Sequence, residues 1–328
     1  MRNIGLHAVL ALVLSGCGSD PGDSAVRKLV PGAQNVVLEG QRATLTLPSG
    51  QFEFTFAKPA QEVPGDSTEN GKPLTAASGT DYLGIQWTQT GPAPAFGAVL
   101  HGTDPLPAAQ ALSVAGNRIE LPPVVQDPQG SRPEGTVFVR VPDDASSTLE
   151  VTYDGLSVDI DTTTGDVAAS PADQFAQVEQ TDSPDCATDS APDARFRYDV
   201  RCHVSKGTLV PYVAGAGWTQ DEARWLVVDA TVTPGSFTYS DTGTDEVRYR
   251  IDTQAGTIAS DSGEGVVVDE RELQSQVFTA TYAVPVTGNG PWQLTLNRSY
   301  QLSPDAGPVG QAPAQHQVEF TGSVTVHN

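Results

Sequence analysis

The chain has 328 residues and sets 40 acidic side chains against 18 basic ones, a formal net charge of −22. Nucleic-acid binding needs a basic face or stripe to meet phosphates, and no such stripe occurs, so that function class is excluded. Adhesion to an anionic membrane surface by charge alone is excluded as well, because like charges repel. The acidity is spread along the chain, a pattern that favours solubility.

Met1-Arg2-Asn3 is followed by a mostly apolar stretch, Ile4 to Leu14, broken by Gly5 and His7. A membrane span takes roughly 20 apolar residues, so this stretch is too short for one and fits the apolar region of an export signal instead. It ends Leu14-Ser15-Gly16-Cys17. An aliphatic residue, two small residues and a cysteine resemble the lipobox of bacterial lipoproteins. The resemblance covers the first seventeen residues and departs from the pattern in its single arginine. It implies a signal peptide over 1–16, lipidation of Cys17, an extracytoplasmic address and a membrane partner reached through the lipid. Gly18 in place of Asp implies no retention at an inner membrane.

Residues 17–33 are rich in Gly, Ser, Asp and Pro and read as a tether. Period-two alternation then begins. Ala43, Leu45 and Leu47 alternate, Pro48-Ser49-Gly50 turns the chain, and Phe52, Phe54 and Phe56 alternate again: a β-hairpin with one apolar face. Residues 59–78 lack alternation and read as a long loop. Tyr82–Trp87, Val137–Val141 and Leu149–Tyr153 are further strands. Together these define a β-sandwich domain over 34–180.

Thr181 to Asp193 is rich in Asp, Ser and Pro and is expected to be a linker to a second sandwich over 194–328. There Phe196, Tyr198, Val200, Cys202 and Val204 alternate, which puts Cys202 on the buried face. Further strands are Trp225–Thr233, Val247–Ile251, Trp292–Leu296, Val318–Phe320 and Val324–Val326. The fold class is therefore all-β: two immunoglobulin-like sandwiches in tandem after a signal peptide and a short tether. With Cys17 assigned to lipid, Cys186 and Cys202 remain, and an even remainder in an exported chain predicts a disulfide. Tyr82–Thr90, Val137-Phe138 and Thr148-Leu149 can be laid on Trp225–Thr233, Val277-Phe278 and Gln293-Leu294, hinting at a duplicated domain. The run Trp225–Thr233 with Pro234-Gly235 resembles a strand of telokin-like immunoglobulin-type domains. That resemblance implies exposed loops and brings no catalytic residues.

The chain lacks H-E-x-x-H and G-x-S-x-G, and the segment from Gly65 to Lys72 misses the phosphate-loop spacing. It is expected not to be an enzyme. Asp159, Asp161 and Asp166 around Gly165 are weak calcium candidates, set against a simple hairpin turn bonded to its own backbone. No other cofactor is expected. Trp87, Trp225 and Trp292 lie in apolar patterns and read as core, whereas Trp218 follows Gly215-Ala216-Gly217 and is the candidate ligand contact. The expected function is that of a membrane-anchored, non-catalytic module that binds an envelope protein or glycan or serves as a structural component of the envelope. A hydrolase with a carboxylate pair formed only in three dimensions and a calcium-stabilised adhesion module are the alternatives.

Overall fold

A computed structural model describes residues 29–91, 106–124, 134–170, 172, 175, 181–188, 195–220, 223–240, 246–272, 277–306 and 312–328. Cys17 and the signal lie outside the described residues.

The first half contains β1 (Leu29–Pro31), β2 (Gly40–Leu47), β3 (Gly50–Ala57), β4 (Glu62–Val63), β5 (Leu74–Thr75) and β6 (Thr80–Gly91). It continues with β7 (Ala108–Val114), β8 (Asn117–Val124), β9 (Glu134–Pro142), β10 (Ser147–Tyr153) and β11 (Leu156–Asp161). One sheet has the order β1-β9-β6-β3-β2 and a second the order β11-β10-β7-β8. The hairpin is present as read: Ala43 faces Phe54, Leu45 faces Phe52 and Leu47 faces Gly50. Its apolar face meets the inward residues of the other sheet, among them Leu112, Leu149 and Val151, in one core. Asp154-Gly155 turns β10 into β11 with φ of 45° and 81°. Two central residues with positive φ match the right-handed twist of the paired strands.

The second half contains β12 (Ala187–Thr188), β13 (Phe196–Val204), β14 (Thr208–Val210), β15 (Tyr212–Val213), β16 (Gly217–Trp218) and β17 (Arg224–Tyr239). After these come β18 (Val247–Ser260), β19 (Gly263–Glu264), β20 (Val266–Glu272), β21 (Phe278–Val286), β22 (Trp292–Pro304) and β23 (His316–Val326). Strand β17 changes partner along its length. Arg224–Val232 pairs with β21, and Phe237–Tyr239 pairs with β18. The sheet thereby folds over a second core.

Several expectations are corrected. The end of the expected tether belongs to the first sheet, since Leu29, Val30 and Pro31 pair with Val139, Phe138 and Val137. Of the expected linker, residues 181–188 lie along an edge of the second sandwich, and 189–193 lie outside the described residues. Ala187 and Thr188 pair with β23, and Asp185 bridges His203 on β13. Their polar composition hid this, because a short edge segment is held by backbone bonds rather than by alternating apolar side chains. Pro234-Gly235 is not a turn. The strand runs through it, and the register shift between Tyr198 and Val200 on β13 absorbs the proline. Residues 59–78 include the short β4–β5 ladder, and the two segments expected near the C-terminus form one strand, β23.

The ladders of the two halves can be superposed, though not at the offsets the sequence suggests. Thr80–Thr88 pairs with Glu134–Pro142, and Arg224–Val232 pairs with Phe278–Val286. A shift of 144 positions carries Thr80 onto Arg224 and Pro142 onto Val286, so both strands of the first ladder fall on both strands of the second. The two ladders also have the same length and enclose the same number of residues.

Cys186 and Cys202 stand at disulfide distance, with Cα atoms 5.3 Å apart. The Cys186 amide donates to the Cys202 carbonyl at 3.1 Å, which joins the β12 edge to β13 and closes the sheet path on itself. The bridge closes a loop with a sequence separation of 16. Cys202→Ser is expected to lower stability by about 3 kcal/mol in chemical denaturation, an effect that reductant reproduces in the unmodified chain.

Candidate functional site

A groove of about 980 Å³ lies on the outer face of the first sheet. Its floor follows from strand alternation. Core-facing Phe54, Ile85 and Val137 leave Arg42, Glu53, Thr55, Gln86, Thr88, Glu134 and Thr136 on the other face. One wall is the strap that connects β1 to β2, residues 32–39. Pro122 and Pro123 of β8 also line the groove.

Gln86 holds the strap. Its Nε2 donates to the Val36 carbonyl at 2.7 Å and to Thr136 Oγ1 at 3.2 Å, while its Oε1 accepts from the Leu38 amide at 3.2 Å. Leu38 is buried and Val37 is 79% exposed at the rim. Leu38 reaches the sheet because Gly84 lies beneath it; a Cβ there would come within 2.9 Å of its Cδ1. Across the floor, Arg42 pairs with Glu53 at 3.5 Å. Partly exposed, the pair contributes little stability but holds two charged groups in place. The groove therefore presents an amide, hydroxyls and both signs of charge in water, with apolar rims. No sequence pattern marked it. Gln86 and Thr88 sit in an ordinary strand, and only the approach of the strap gives them a shared role.

Trp218 occupies a different place. Strands β15 and β16 form a small hairpin that inserts between the halves, with Tyr212 and Val213 buried and Trp218 half-buried in the first core. The Trp218 indole N–H donates to the Tyr153 carbonyl at 2.8 Å. Its ring meets Tyr212, Phe175 and Tyr153 at centroid distances of 4.9, 6.0 and 6.4 Å. The Tyr212 hydroxyl donates to Asp154 Oδ2 at 2.8 Å, in the tight turn after β10. Burial, reinforced by Asp154, raises the Tyr212 phenol far above its ordinary value. Burial pushes the Tyr153 phenol up to about 12. Trp218 thus joins the two halves instead of standing on a free loop. Trp225 is also half-buried at this seam and donates to the Gly217 carbonyl at 3.1 Å, while Trp87 and Trp292 are core.

The acidic turn is bonded to itself. Asp161 Oδ1 accepts from the amides of Thr163 and Thr164 at 2.7 and 3.0 Å. Gly165, at φ 78°, donates its amide to the Asp161 carbonyl at 2.8 Å. These amides, Thr164 first, hold the Asp161 carboxyl below the usual aspartate range. Among the described residues, no group of three or more His, Cys, Asp or Glu side chains is placed to hold a metal ion. The second acidic turn, Asp241 to Asp245, lies outside the described residues.

Two outcomes are expected. Trp218→Ala should cost about 2–3 kcal/mol and split calorimetric melting of the two halves into separate transitions. Asp161→Ala should cost about 0.5–1 kcal/mol at neutral pH, a solvent-screened value. The depressed value means that this contribution is complete above the unfolded-state pKa and fades as pH falls through the folded-state pKa. Wild type and variant should therefore converge in acid denaturation. No protein-family model, curated protein or solved structure matches the chain.

Proposed function

We propose that the chain is an extracytoplasmic, lipid-anchored binding module that holds a glycan in the groove beneath the strap. The observation that carries this reading is the groove floor, where Gln86, Thr55, Thr88 and the Arg42–Glu53 pair lie side by side on one face. Fixed amide, hydroxyl and charged groups suit a ligand dense in hydroxyls, and the proline pair supplies apolar rim for sugar ring faces. The disulfide-distance pair Cys186–Cys202 fits an oxidising compartment. Lipid on Cys17 would place eleven residues, 18–28, between the anchor and β1.

The non-catalytic reading rests on the carboxylates of the groove. Glycoside cleavage needs one carboxyl kept protonated by burial beside a second that is ionised. Glu53 is tied to Arg42, and Glu134 is exposed to water. A glycan array probed with the secreted chain tests the proposal. Bound glycans are expected to lose about tenfold in affinity with Arg42→Ala, which removes roughly one charge contact, or with Gln86→Ala, which releases the strap that walls the groove. Absence of glycan binding, or binding indifferent to both substitutions, sinks the ligand assignment. Turnover of the bound glycan sinks the non-catalytic one.

A further inference from the structure

The inward face of β22 reads Trp292, Leu294, Leu296, Arg298, Tyr300 and Leu302, all buried. Arg298 stands at an apolar position and is 2% exposed. Its guanidinium carbon lies 3.3 Å from the ring centroid of Phe278. Its Nη2 donates to Gln254 Oε1 at 2.9 Å. Gly256 faces it across the ladder and leaves the space, since a Cβ there would come within 2.8 Å of Nη1.

The remaining groups do not balance. Arg298 Nε and Nη1 and the hydroxyls of Tyr282 and Tyr300 are buried without a hydrogen-bond partner. The guanidinium is close enough to draw on both phenols, but burial dominates and raises both, Tyr300 to about 12. Both phenols therefore keep their protons and remain donors. A guanidinium donates and accepts nothing. Even with its N–H groups turned onto the phenol oxygens, two O–H hydrogens still lack an acceptor. Gln254 supplies a neutral acceptor and no compensating charge. Among the described residues Arg298 has no salt-bridge partner, and a buried cation without a counter-charge is strongly unfavourable. A water molecule accepts but also brings hydrogens of its own, so it leaves both the donor excess and the charge in place.

We infer that Arg298, Tyr282 and Tyr300 form a buried site for one small monovalent anion of chloride or bromide size. Such a ligand accepts from the phenols and from one edge of the guanidinium, whose charge it neutralises, and the Phe278 ring covers a face of the cation. Both phenols belong to the second core, so anion binding there adds to stability.

The test uses the mature chain. Crystals grown in bromide should show an anomalous peak within hydrogen-bond distance of the Arg298 guanidinium and the two phenols. In melts at constant ionic strength, replacing gluconate, too bulky to bury, with chloride should raise the midpoint saturably by about 3–5 °C. Arg298→Met should abolish that rise. If that variant does not fold, the double variant Tyr282→Phe, Tyr300→Phe decides: it removes two donors with little change of shape and should lose most of the chloride response. No bromide peak together with a chloride-independent melt, or an undiminished chloride response in a folded variant, overturns the assignment.

Discussion

Much of the molecule depends on the burial of the start of strand β17 on both faces. Its inward residues Leu226, Val228, Ala230 and Val232 fill the second core. Its outward residues Trp225 and Val227 meet the first core. A sheet with one wet face tolerates polar residues at alternate positions, whereas one covered on both sides does not. The unbroken run Trp225-Leu226-Val227-Val228 answers that constraint. Both edges of β17 are also used, by β13 and β14 on one side and by β21 and β18 on the other.

This placement makes the seam between the halves part of a core. Val210, Tyr212, Val213, Val227 and Ala283 from the second half share one apolar cluster with Leu149, Val151 and Tyr153 from the first. Polar groups are satisfied there in a particular way. Tyr212 reaches the Asp154 carboxylate, and Trp218 reaches a backbone carbonyl at the end of β10. Both bonds are directional, so they set how the halves meet, where apolar contact alone would allow sliding. The groove lies on the outer face of the first sheet, away from this core, and so is held on a fixed support while its floor stays in water.

The disulfide-distance pair and the buried arginine show two ways in which the second sandwich manages its weak points. Cys186 joins an edge segment with little apolar surface to β13. Arg298 puts a charge where a leucine would satisfy the alternation, and Phe278, Gln254 and Gly256 are arranged around it. Such a side chain is hard to accommodate as packing, since an apolar residue of similar size usually does as well or better in a core.

The all-β class, most strands, the β2–β3 hairpin and the burial of Cys202 were legible in sequence, because period-two alternation records which face of a strand leaves water. The same rule located Trp87 and Trp292. It failed where apolar alternation does not hold a segment. The β12 edge rests on backbone bonds within an acidic stretch, and β1 is a three-residue strand behind a tether-like composition. It also stopped at Leu296, one inward position before Arg298, because a charged residue ends an apolar pattern on paper. Only the tertiary structure decided that Trp218 would bind the halves together, that Gln86 would hold a strap over Arg42 and Glu53, and that Arg298 would meet two phenols. Those groups are brought together by strands distant in the chain, and local sequence records the face a residue takes but not the partner it finds there.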